Sequence, residues 1–384
     1  MLCNLVVFCA AVGCVSETAC AQPPTNVFQG HGGSVYSLAY SPSGNVLVSG
    51  GADQVVRFWR LSEPAGQSEL QASRQQYLAD LDDDQYHVRQ QAFIELAAQG
   101  DSIATDLHRV LTTTASAEVR LRIGHLLAML SIPTGVAHEG EIRAVAFSSD
   151  GKTVASAGRD NMVMLWSASS GRVQSVLKGH GDGAWSVAFS PDSRLLASGG
   201  GDQVVRIWDI GTGEEICVLD GHASTIQDLA FAPNGRTLAS AGGFDKTIRV
   251  WSLTERKLVT VLERHTDAVL CIAFSPDGRY LASSGYDGTL LLWELPSGRL
   301  VRSVNTAGGV VRCVTFSPDG RLVATAEDAR CVKIWEAATG NLKKTVEGHT
   351  SSVYAVAFSP DGRQLASAGL DGIVRCWPLD DSND

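Results

Sequence analysis

The sequence predicts an all-β fold, a seven-bladed β-propeller. Two observations support this prediction: tryptophans recur at nearly constant intervals, and each one ends a similar group of short apolar runs. The intervals are 42, 43, 42, 42 and 42 residues, and the tryptophans are Trp166, Trp208, Trp251, Trp293, Trp335 and Trp377. A period of about 40–45 residues with four strands per repeat is typical of propellers.

The segment from His265 to Trp293 shows the repeating unit most clearly. Three apolar runs are separated by turns at Ser275–Gly278 and Tyr286–Gly288, and short runs punctuated by Pro-Asp-Gly and Asp-Gly predict an antiparallel meander. The next copy begins after Gly298. We therefore expect a fourth strand around Leu300–Val304.

These residues resemble the WD-repeat (Trp-Asp) family. Gly-His, an apolar strand, Ser-Pro-Asp-Gly, Leu-Ala-Ser, an Asp and a Trp recur in that order, although the literal Trp-Asp pair stands only at Trp208-Asp209. The resemblance covers most of residues 26–380. It implies a WD-repeat β-propeller and a role in binding other proteins.

The two ends of the chain complete one another. Residues 25–30 match the fourth strand of a unit that lacks its first three, and the last unit, His349 to Trp377, leaves no room for a fourth strand. A closed ring removes free sheet edges that would otherwise pair with other chains. We expect the N-terminal strand to join the last three strands and close a ring of seven blades.

One long insertion interrupts blade 1. From Trp59 to His138 there are 79 residues, against 14 from Trp166 to His180. Apolar residues at helical spacing predict four helices, with Ser116 as the cap of the fourth. The apolar positions are Leu70, Tyr77, Leu78 and Leu81; Val88, Ala92, Phe93 and Leu96; Ile103, Leu107, Val110 and Leu111; and Val119, Ile123, Leu126, Leu127 and Leu130.

The insertion resembles two HEAT-like helical pairs. His-Val-Arg at 87–89 and Glu-Val-Arg at 118–120 each open the second helix of a pair. It could capture a partner or be a decorated loop. The expected domains are a signal peptide at 1–21, the closing strand and blade 1 at 22–63, the insertion at 64–130, and blades 2 to 7 at 131–384.

The first 21 residues resemble a secretory leader. Leu2 to Val15 is apolar, and Ala19-Cys20-Ala21 matches a cleavage pattern before Gln22. No Lys or Arg precedes the apolar stretch, so lipidation at Cys14 and a wrongly assigned start are alternatives. We expect an extracytoplasmic bacterial protein, periplasmic or secreted, with a cytoplasmic scaffold as the alternative.

Composition narrows the classes of partner. The chain is 44% hydrophobic and 19% charged, which is typical of a globular protein. Its net charge of −10 comes without a basic cluster, so the usual footprint of nucleic-acid binding is missing. No run after the leader is long and apolar enough to span a membrane. We expect a monomer with a protein or peptide partner, without nucleic acid and without a transmembrane span.

Five cysteines follow the leader, and none forms a CxxC pair. They are Cys217, Cys271, Cys313, Cys331 and Cys376. An odd number excludes a full disulfide framework. We expect buried thiols that act as small apolar residues, and a bridge between Cys271 and Cys313, which occupy equivalent positions, is the alternative.

Histidine, serine and aspartate recur together in six units, and these are the residue types of a hydrolase triad. A triad is needed only once, and no G-x-S-x-G motif surrounds these serines. The resemblance implies instead that they form, with the tryptophan, a hydrogen-bond network that supports each blade. The network residues are His31, Ser49, Asp53, Trp59; His138, Ser156, Asp160, Trp166; His180, Ser198, Asp202, Trp208; His222, Ser240, Asp245, Trp251; His265, Ser283, Asp287, Trp293; and His349, Ser367, Asp371, Trp377.

The sixth unit departs from this pattern. Ala307-Gly308-Gly309 replaces the Gly-His region, Thr325 stands at the serine position, and Ala329 stands where Asp is expected. We therefore expect blade 6 to be the loosest. No Walker loop, dinucleotide fingerprint, HExxH or EF-hand loop is present in the sequence, and we expect no cofactor and no metal.

The resemblance places partner binding on the face formed by the loops between strands four and one and between strands two and three. Two sets of positions follow from it. Five residues beyond each His position stand Tyr36, Arg143, Trp185, Gln227, Leu270, Arg312 and Tyr354. Just before each Asp position stand Ala52, Arg159, Gly201, Phe244, Tyr286, Asp328 and Leu370.

Large aromatic residues and arginines dominate interface energetics. We therefore expect the partner-binding residues to be Tyr36, Arg143, Arg159, Trp185, Phe244, Tyr286, Arg312 and Tyr354. The competing interpretation is that these side chains plug the channel. The sequence thus predicts a non-catalytic WD-repeat scaffold, with an enzyme whose site lies at the channel mouth as the alternative.

Overall fold

Seven antiparallel sheets form the propeller. The computed structural model describes residues 24–61, 75–83, 85–98, 107, 110, 114, 116–130 and 138–379. Six sheets have four strands, and the first has three described strands. The first strands of consecutive blades contact one another in a closed circuit, so these strands surround the central axis.

The strands follow the repeat of the sequence. Blade 1 contains β2 (Val35–Tyr40), β3 (Val46–Gly51) and β4 (Arg57–Arg60); blade 2 contains β5 (Ile142–Phe147), β6 (Thr153–Gly158), β7 (Met162–Ser167) and β8 (Val173–Lys178). Blade 3 contains β9 (Ala184–Phe189), β10 (Leu195–Gly200), β11 (Val205–Asp209) and β12 (Glu215–Leu219); blade 4 contains β13 (Asp228–Phe231), β14 (Thr237–Ala241), β15 (Thr247–Ser252) and β16 (Lys257–Glu263).

The remaining blades repeat this order. Blade 5 contains β17 (Val269–Phe274), β18 (Tyr280–Gly285), β19 (Thr289–Glu294) and β20 (Arg299–Asn305); blade 6 contains β21 (Val311–Phe316), β22 (Leu322–Glu327), β23 (Cys331–Glu336) and β24 (Leu342–Glu347). Blade 7 contains β25 (Val353–Phe358), β26 (Gln364–Gly369), β27 (Ile373–Pro378) and, from the other end of the chain, β1 (Asn26–Gln29).

The ring closes through β1, as the sequence predicts. This strand pairs antiparallel with β27, and Asn26 lies opposite Cys376. Phe28 packs on Trp59 of blade 1, with ring centroids 5.2 Å apart. The closing strand therefore completes blade 7 and also contacts blade 1.

Apolar side chains hold neighbouring blades together. The buried clusters each combine residues of two adjacent blades. Between blades 3 and 4, for example, Ile207 packs with Leu229 and Leu238. Because burial of apolar area is the main favourable term in folding, each blade is stabilised chiefly by its neighbours on the ring.

Helices are present in the insertion within blade 1. Residues 75–80 are helical, followed by α1 (Tyr86–Ala98) and α2 (Ala117–Leu130). Ser116 caps α2 as predicted, because its Oγ accepts the backbone N–H of Val119 at 3.3 Å. Buried side chains from these helices form one small core of their own, which contains Leu78, Leu81, Ala92, Leu96, Leu107, Val119 and Ile123.

Several predictions for the insertion and the leader concern residues beyond the described ones. These are the leader at 1–21, the start of the first helix and most of the third helix. Among the described residues, no helix has the length and apolarity needed to cross a bilayer.

The five cysteines of the described propeller are free thiols. Cys271 Sγ and Cys313 Sγ lie 3.7 Å apart across blades 5 and 6, well beyond the S–S bond length of about 2.05 Å. Burial raises the pKa of the Cys376 thiol to about 11. Cys331 and Cys376 are buried, as expected, whereas Cys217, Cys271 and Cys313 are half-buried.

Candidate functional site

In six blades the expected four side chains lie within hydrogen-bond distance of one another. In blade 3, Trp208 Nε1 donates to Ser198 Oγ at 2.8 Å. The same Oγ lies 2.7 Å from His180 Nε2, and His180 Nδ1 lies 2.9 Å from Asp202. Asp202 also accepts the backbone N–H of Gly181. The chain of bonds therefore links strands β10 and β11 to the loop that carries the histidine.

The same distances recur around the ring. Across the six blades the Trp Nε1–Ser Oγ distance is 2.7–2.9 Å and the His Nε2–Ser Oγ distance is 2.7–2.8 Å. All six serines are 0% exposed. A substrate cannot reach a hydroxyl that is shielded from solvent and already bonded to an indole N–H. The geometry therefore suits a support for the blade turns.

These buried imidazoles predict a pH dependence of stability. Burial, acting against the hydrogen bonds to their aspartates, lowers the pKa of His31, His138, His180 and His349 below the ordinary 6.5. Their contribution to stability is therefore complete above pH 6.5 and is lost as the pH falls toward the folded-state values, because the unfolded chain binds protons that the folded chain does not.

We expect the melting temperature to be nearly constant from pH 8 to 7 and to fall progressively from about pH 6.5 downward. Thermal unfolding followed by circular dichroism across this range measures the effect. A melting temperature that stays constant down to pH 5 would contradict it. Asp53 and Asp371 lose their contribution at lower pH, because burial acts to raise their pKa but the interactions with His31 and His349 hold it below 3.8.

Blade 6 has a different network that the sequence analysis missed. Trp335 Nε1 donates to Thr325 Oγ1 at 2.9 Å, and Thr325 Oγ1 donates to Glu327 Oε1 at 3.0 Å. Lys333 Nζ lies 2.9 Å from Glu327 Oε2 and also donates to the Thr306 carbonyl. Glu327 is 0% exposed. A buried ion pair therefore occupies the position of the histidine and aspartate of the other blades.

The presence of Glu327 in place of glycine in blade 6 has a steric basis. Glu327 stands where the other blades have glycine, such as Gly158 in blade 2. A Cβ on Gly158 would lie 2.4 Å from His138 Nδ1 and 2.7 Å from Asp160 Oδ1. In blade 4 a Cβ on Gly242 would likewise lie 2.1 Å from His222 Nδ1, whereas in the four remaining blades it would meet a backbone carbonyl oxygen. Where the histidine is missing, the carboxylate of Glu327 fills the space.

The residues five beyond each histidine position surround the mouth of the central channel. In six blades this residue is the second of the innermost strand, and the residue before it is fully buried, as Val35 is before Tyr36. The register of the first two strands skips it: Val35 lies opposite Gly51, and Ser37 lies opposite Gly50. The same skip passes over Arg143, Trp185, Leu270, Arg312 and Tyr354.

Each of these six side chains is therefore the extra residue of a β-bulge. A bulge leaves one residue unpaired and redirects its side chain. In blade 4 the equivalent residue, Gln227, directly precedes β13 and donates its backbone N–H to the Ala241 carbonyl. The fold thus turns seven side chains toward one opening.

The mouth encloses a cavity of about 270 Å³. The residues that line this cavity are the mouth residues: Tyr36, Arg143, Trp185, Gln227, Phe244, Leu270, Tyr286, Arg312 and Tyr354. Five of the nine are aromatic, two are arginines and none is acidic. The composition matches that of residues that dominate protein interfaces.

Aromatic rings and guanidinium groups alternate around much of this mouth. Tyr36 and Tyr354 meet where the ring closes, with centroids 5.5 Å apart. Arg143 lies 4.6 Å from the ring of Tyr36, and Arg312 lies 4.7 Å from the ring of Tyr354.

The contacts continue outward on both sides. Arg143 also lies 4.5 Å from the ring of Trp185, and Arg312 lies 5.2 Å from the ring of Tyr286. Tyr286 in turn stacks with Phe244 at 6.0 Å. Cation–π contacts of this length are attractive, so the side chains of six blades support one another across the blade boundaries.

Seven of the eight expected partner-binding residues are mouth residues. The eighth, Arg159, does not line the cavity; its side chain is 56% exposed and lies 3.5 Å from Glu141. Gln227 and Leu270, which the repeat places at equivalent positions, also line the cavity, although they are neither aromatic nor charged. Glu141 was missed, and in a single sequence no signal distinguishes it from other surface acids.

Asp328 fixes one of the two arginines. Arg312 donates from Nε to Asp328 Oδ1 at 2.8 Å and from Nη2 to Oδ2 at 3.0 Å. Burial acts to lower the pKa of Arg312, but the bond to Asp328 and the neighbouring Tyr354 raise it above its usual range. The Arg312 guanidinium is therefore charged. Its N–H edge binds Asp328, and its face lies against the rings of Tyr354 and Tyr286.

The described part of the chain gives little support for a metal site or a catalytic triad. Among the residues that the structure describes, no group of three His, Cys, Asp or Glu side chains is arranged to hold a metal ion. The only sets of triad type there are the blade networks, whose serines are buried.

Part of this chain is similar in sequence to part of two longer known proteins. Transducin beta-like protein 3 of Bos taurus is 24% identical over 136 residues, which cover 35% of this chain and 14% of that protein. The F-box-like/WD repeat-containing protein TBL1X of Mus musculus is 25% identical over 160 residues, which cover 41% of this chain and 28% of that protein. The matches span less than a third of the length of these relatives.

The repeat itself matches a known family along most of the chain. The family described as WD domain, G-beta repeat matches residues 22–60, 131–167, 171–209, 213–252, 256–294, 298–336 and 340–378. Each of the seven segments contains the first three strands of one blade, preceded in six of them by the last strand of the preceding blade, and the interval between the first two matches contains the insertion. The chain belongs to the WD40 family of WD-domain, G-beta repeat proteins.

Proposed function

We propose that this protein is a non-catalytic interaction module that binds a protein or peptide partner at the mouth of the propeller channel. The observation that carries the proposal is the set of mouth residues: bulges turn aromatic side chains and arginines from separate blades toward one cavity. Trp, Tyr and Arg at the centre of such a patch supply most of the binding energy in protein interfaces.

The half-buried state of these side chains favours binding over plugging. Tyr36, Arg143 and Trp185 each keep part of their surface in solvent, and Phe244 is 65% exposed. A plug would fill the opening, whereas about 270 Å³ stays empty between these residues. The cavity therefore has room for one or two side chains of a partner.

Alanine at Trp185 is expected to weaken partner capture by a factor of about 30, the equivalent of about 2 kcal/mol for an interface hot spot. The melting temperature should change little, because this side chain is half-buried at the channel. The partner is isolated from the source organism with immobilised wild-type protein, identified by mass spectrometry, and its affinity is then measured by titration calorimetry.

Two further variants locate the binding surface. Leu342→Ala removes a 49% exposed apolar side chain from the outer strand β24 and should leave the affinity unchanged. Tyr86→Ala removes a 70% exposed ring from α1. If Tyr86→Ala, and not Trp185→Ala, abolishes binding, the insertion captures the partner and the mouth does not.

We infer a HEAT-like pairing of the insertion helices from the sequence pattern alone.

We further propose, on the sequence of the first 21 residues, that the protein is exported by a bacterium and acts outside the cytoplasm. The apolar stretch and the Ala19-Cys20-Ala21 pattern support this proposal. Sequencing the amino terminus of the protein purified from its native host tests it. A chain that begins at Gln22 agrees with export, and a chain that retains Met1 indicates a cytoplasmic scaffold.

A further inference from the structure

The two arginines of the mouth are held in the same way by aromatic rings. Arg143 lies between Tyr36 and Trp185, at 4.6 and 4.5 Å from their ring centroids. Arg312 has two aromatic neighbours as well, Tyr354 at 4.7 Å and Tyr286 at 5.2 Å. A guanidinium group that is stacked on rings still presents its N–H groups at its edge, in the plane of the group.

The edges of the two guanidinium groups differ. Arg312 makes two charge-assisted hydrogen bonds to Asp328, at 2.8 and 3.0 Å, the bidentate geometry in which arginine binds carboxylates most strongly. Arg143 has one long contact with an acid, from Nη1 to Glu141 Oε2 at 3.4 Å. Glu141 is shared with Arg159, whose Nη1 lies 3.5 Å from the same oxygen.

The repeat explains this difference. Asp328 of blade 6 and Arg159 of blade 2 occupy equivalent positions, just before the Asp position of the repeat. Blade 6 therefore offers its mouth arginine a carboxylate from its own chain. Blade 2 offers Arg143 a second guanidinium group at that place, and the Arg159 side chain is 56% exposed.

We propose that Arg143, with Arg159 beside it, binds a carboxylate of an acidic peptide segment of the partner, in the geometry that Asp328 adopts toward Arg312. This inference rests on the proposed function and names the chemistry that the mouth recognises. Asp328 already neutralises Arg312, whereas Arg143 and Arg159 share a single acid, Glu141, at 3.4 and 3.5 Å. The Arg143–Arg159 pair therefore keeps one positive charge in excess, which is complementary to an Asp or Glu side chain. The aromatic faces that would attract a cationic side chain already lie against the arginines of this chain.

The test uses three pools of immobilised nine-residue peptides with randomised flanks and a central Asp, Asn or Lys. The full chain should bind the Asp pool about tenfold more tightly than the Asn pool and the Lys pool least, since a charge-assisted bond in place of a neutral one changes affinity by about this factor. Arg143→Gln should reduce binding to the Asp pool about tenfold and binding to the Asn pool by a smaller factor, so that the preference for Asp over Asn is largely lost.

Arg321→Gln is the matched control. It removes the same charge from an 86% exposed side chain that lies beyond a Pro-Asp-Gly turn and is not a mouth residue, and it should leave all three pools unchanged. Equal binding of the Asp and Asn pools, or preference for the Lys pool, would overturn the carboxylate inference while leaving peptide binding at the mouth intact. Failure to bind any pool would overturn the proposed peptide-binding function and this inference with it.

A second measurement does not depend on the peptide pools. The fluorescence of Trp185 is isolated by subtracting the signal of the Trp185→Phe variant from that of the wild type. Iodide should quench this component more strongly than caesium, because the Arg143 guanidinium beside the indole attracts the anion. In the Arg143→Gln variant the ratio of iodide to caesium quenching should fall toward the ratio measured for free N-acetyltryptophanamide. A wild-type ratio at or below that of the free indole would contradict an anion-binding mouth.

Discussion

Replacing Glu327 with alanine is expected to lower the free energy of unfolding by about 3–5 kcal/mol, the usual cost of removing one partner of a buried ion pair. Glu327 is 0% exposed, and the substitution leaves the ammonium group of Lys333, only 14% exposed, without its carboxylate. It also removes the nearer acceptor of the Thr325 hydroxyl, Glu327 Oε1 at 3.0 Å, and leaves only the Lys333 carbonyl at 3.5 Å. Urea denaturation followed by tryptophan fluorescence measures the change.

Two controls separate the buried pair from a general effect of charge. Glu255→Ala breaks the exposed pair between Glu255 and Lys257 and should cost less than about 1 kcal/mol. In the double variant Glu327→Ala/Lys333→Met, both charges are gone, and a substantial part of the lost stability should return. If the single variant is as stable as the wild type, or the double variant is less stable than the single, the pair does not support blade 6.

The ion pair between Glu327 and Lys333 shows which features of a blade can be predicted from the repeat and which cannot. The absence of the histidine and the usual aspartate from blade 6 is visible in the sequence and predicts a loose blade. Glu327, which stands where all other blades have glycine, is the compensating residue, and the prediction does not include it. The two departures coincide in space, because Glu327 stands at the position whose Cβ would meet the histidine in blades 2 and 4. A comparison of all seven units at that position could have found it.

The mouth could be predicted in part. Counting five residues from each histidine selected side chains that do surround the channel, because the repeat fixes the strand and the position on it. The β-bulge that directs them there could not be predicted, because it depends on how two strands align in register and no residue type marks it. The link between Arg312 and Asp328 was missed for a similar reason: 16 residues separate them, and only the hairpin brings them together.

Ring closure is the feature on which the mouth depends most. Deleting residues 1–30 should lower the free energy of unfolding by at least about 4 kcal/mol. The loss combines the partial burial of Phe28, which contributes less than the roughly 1.5–3 kcal/mol of a fully buried side chain, with backbone hydrogen bonds between β1 and β27 of about 1 kcal/mol each. The exposed edge of β27 should also pair with other chains. Thermal unfolding and analytical ultracentrifugation measure the two effects.

A chain that begins at Pro24 is the matched control, because it lacks residues 1–23 equally and keeps β1 (Asn26–Gln29). It should melt well above the chain that begins at His31. Adding a synthetic peptide of residues 24–30 should raise the melting temperature of the shorter chain and return it to a monomer, since the peptide can occupy the free edge of β27. If the shorter chain is monomeric and equally stable without the peptide, β1 does not fasten the ring. The contact between Tyr36 and Tyr354, which spans the junction of blades 1 and 7, would then have to be maintained by apolar packing between those blades alone.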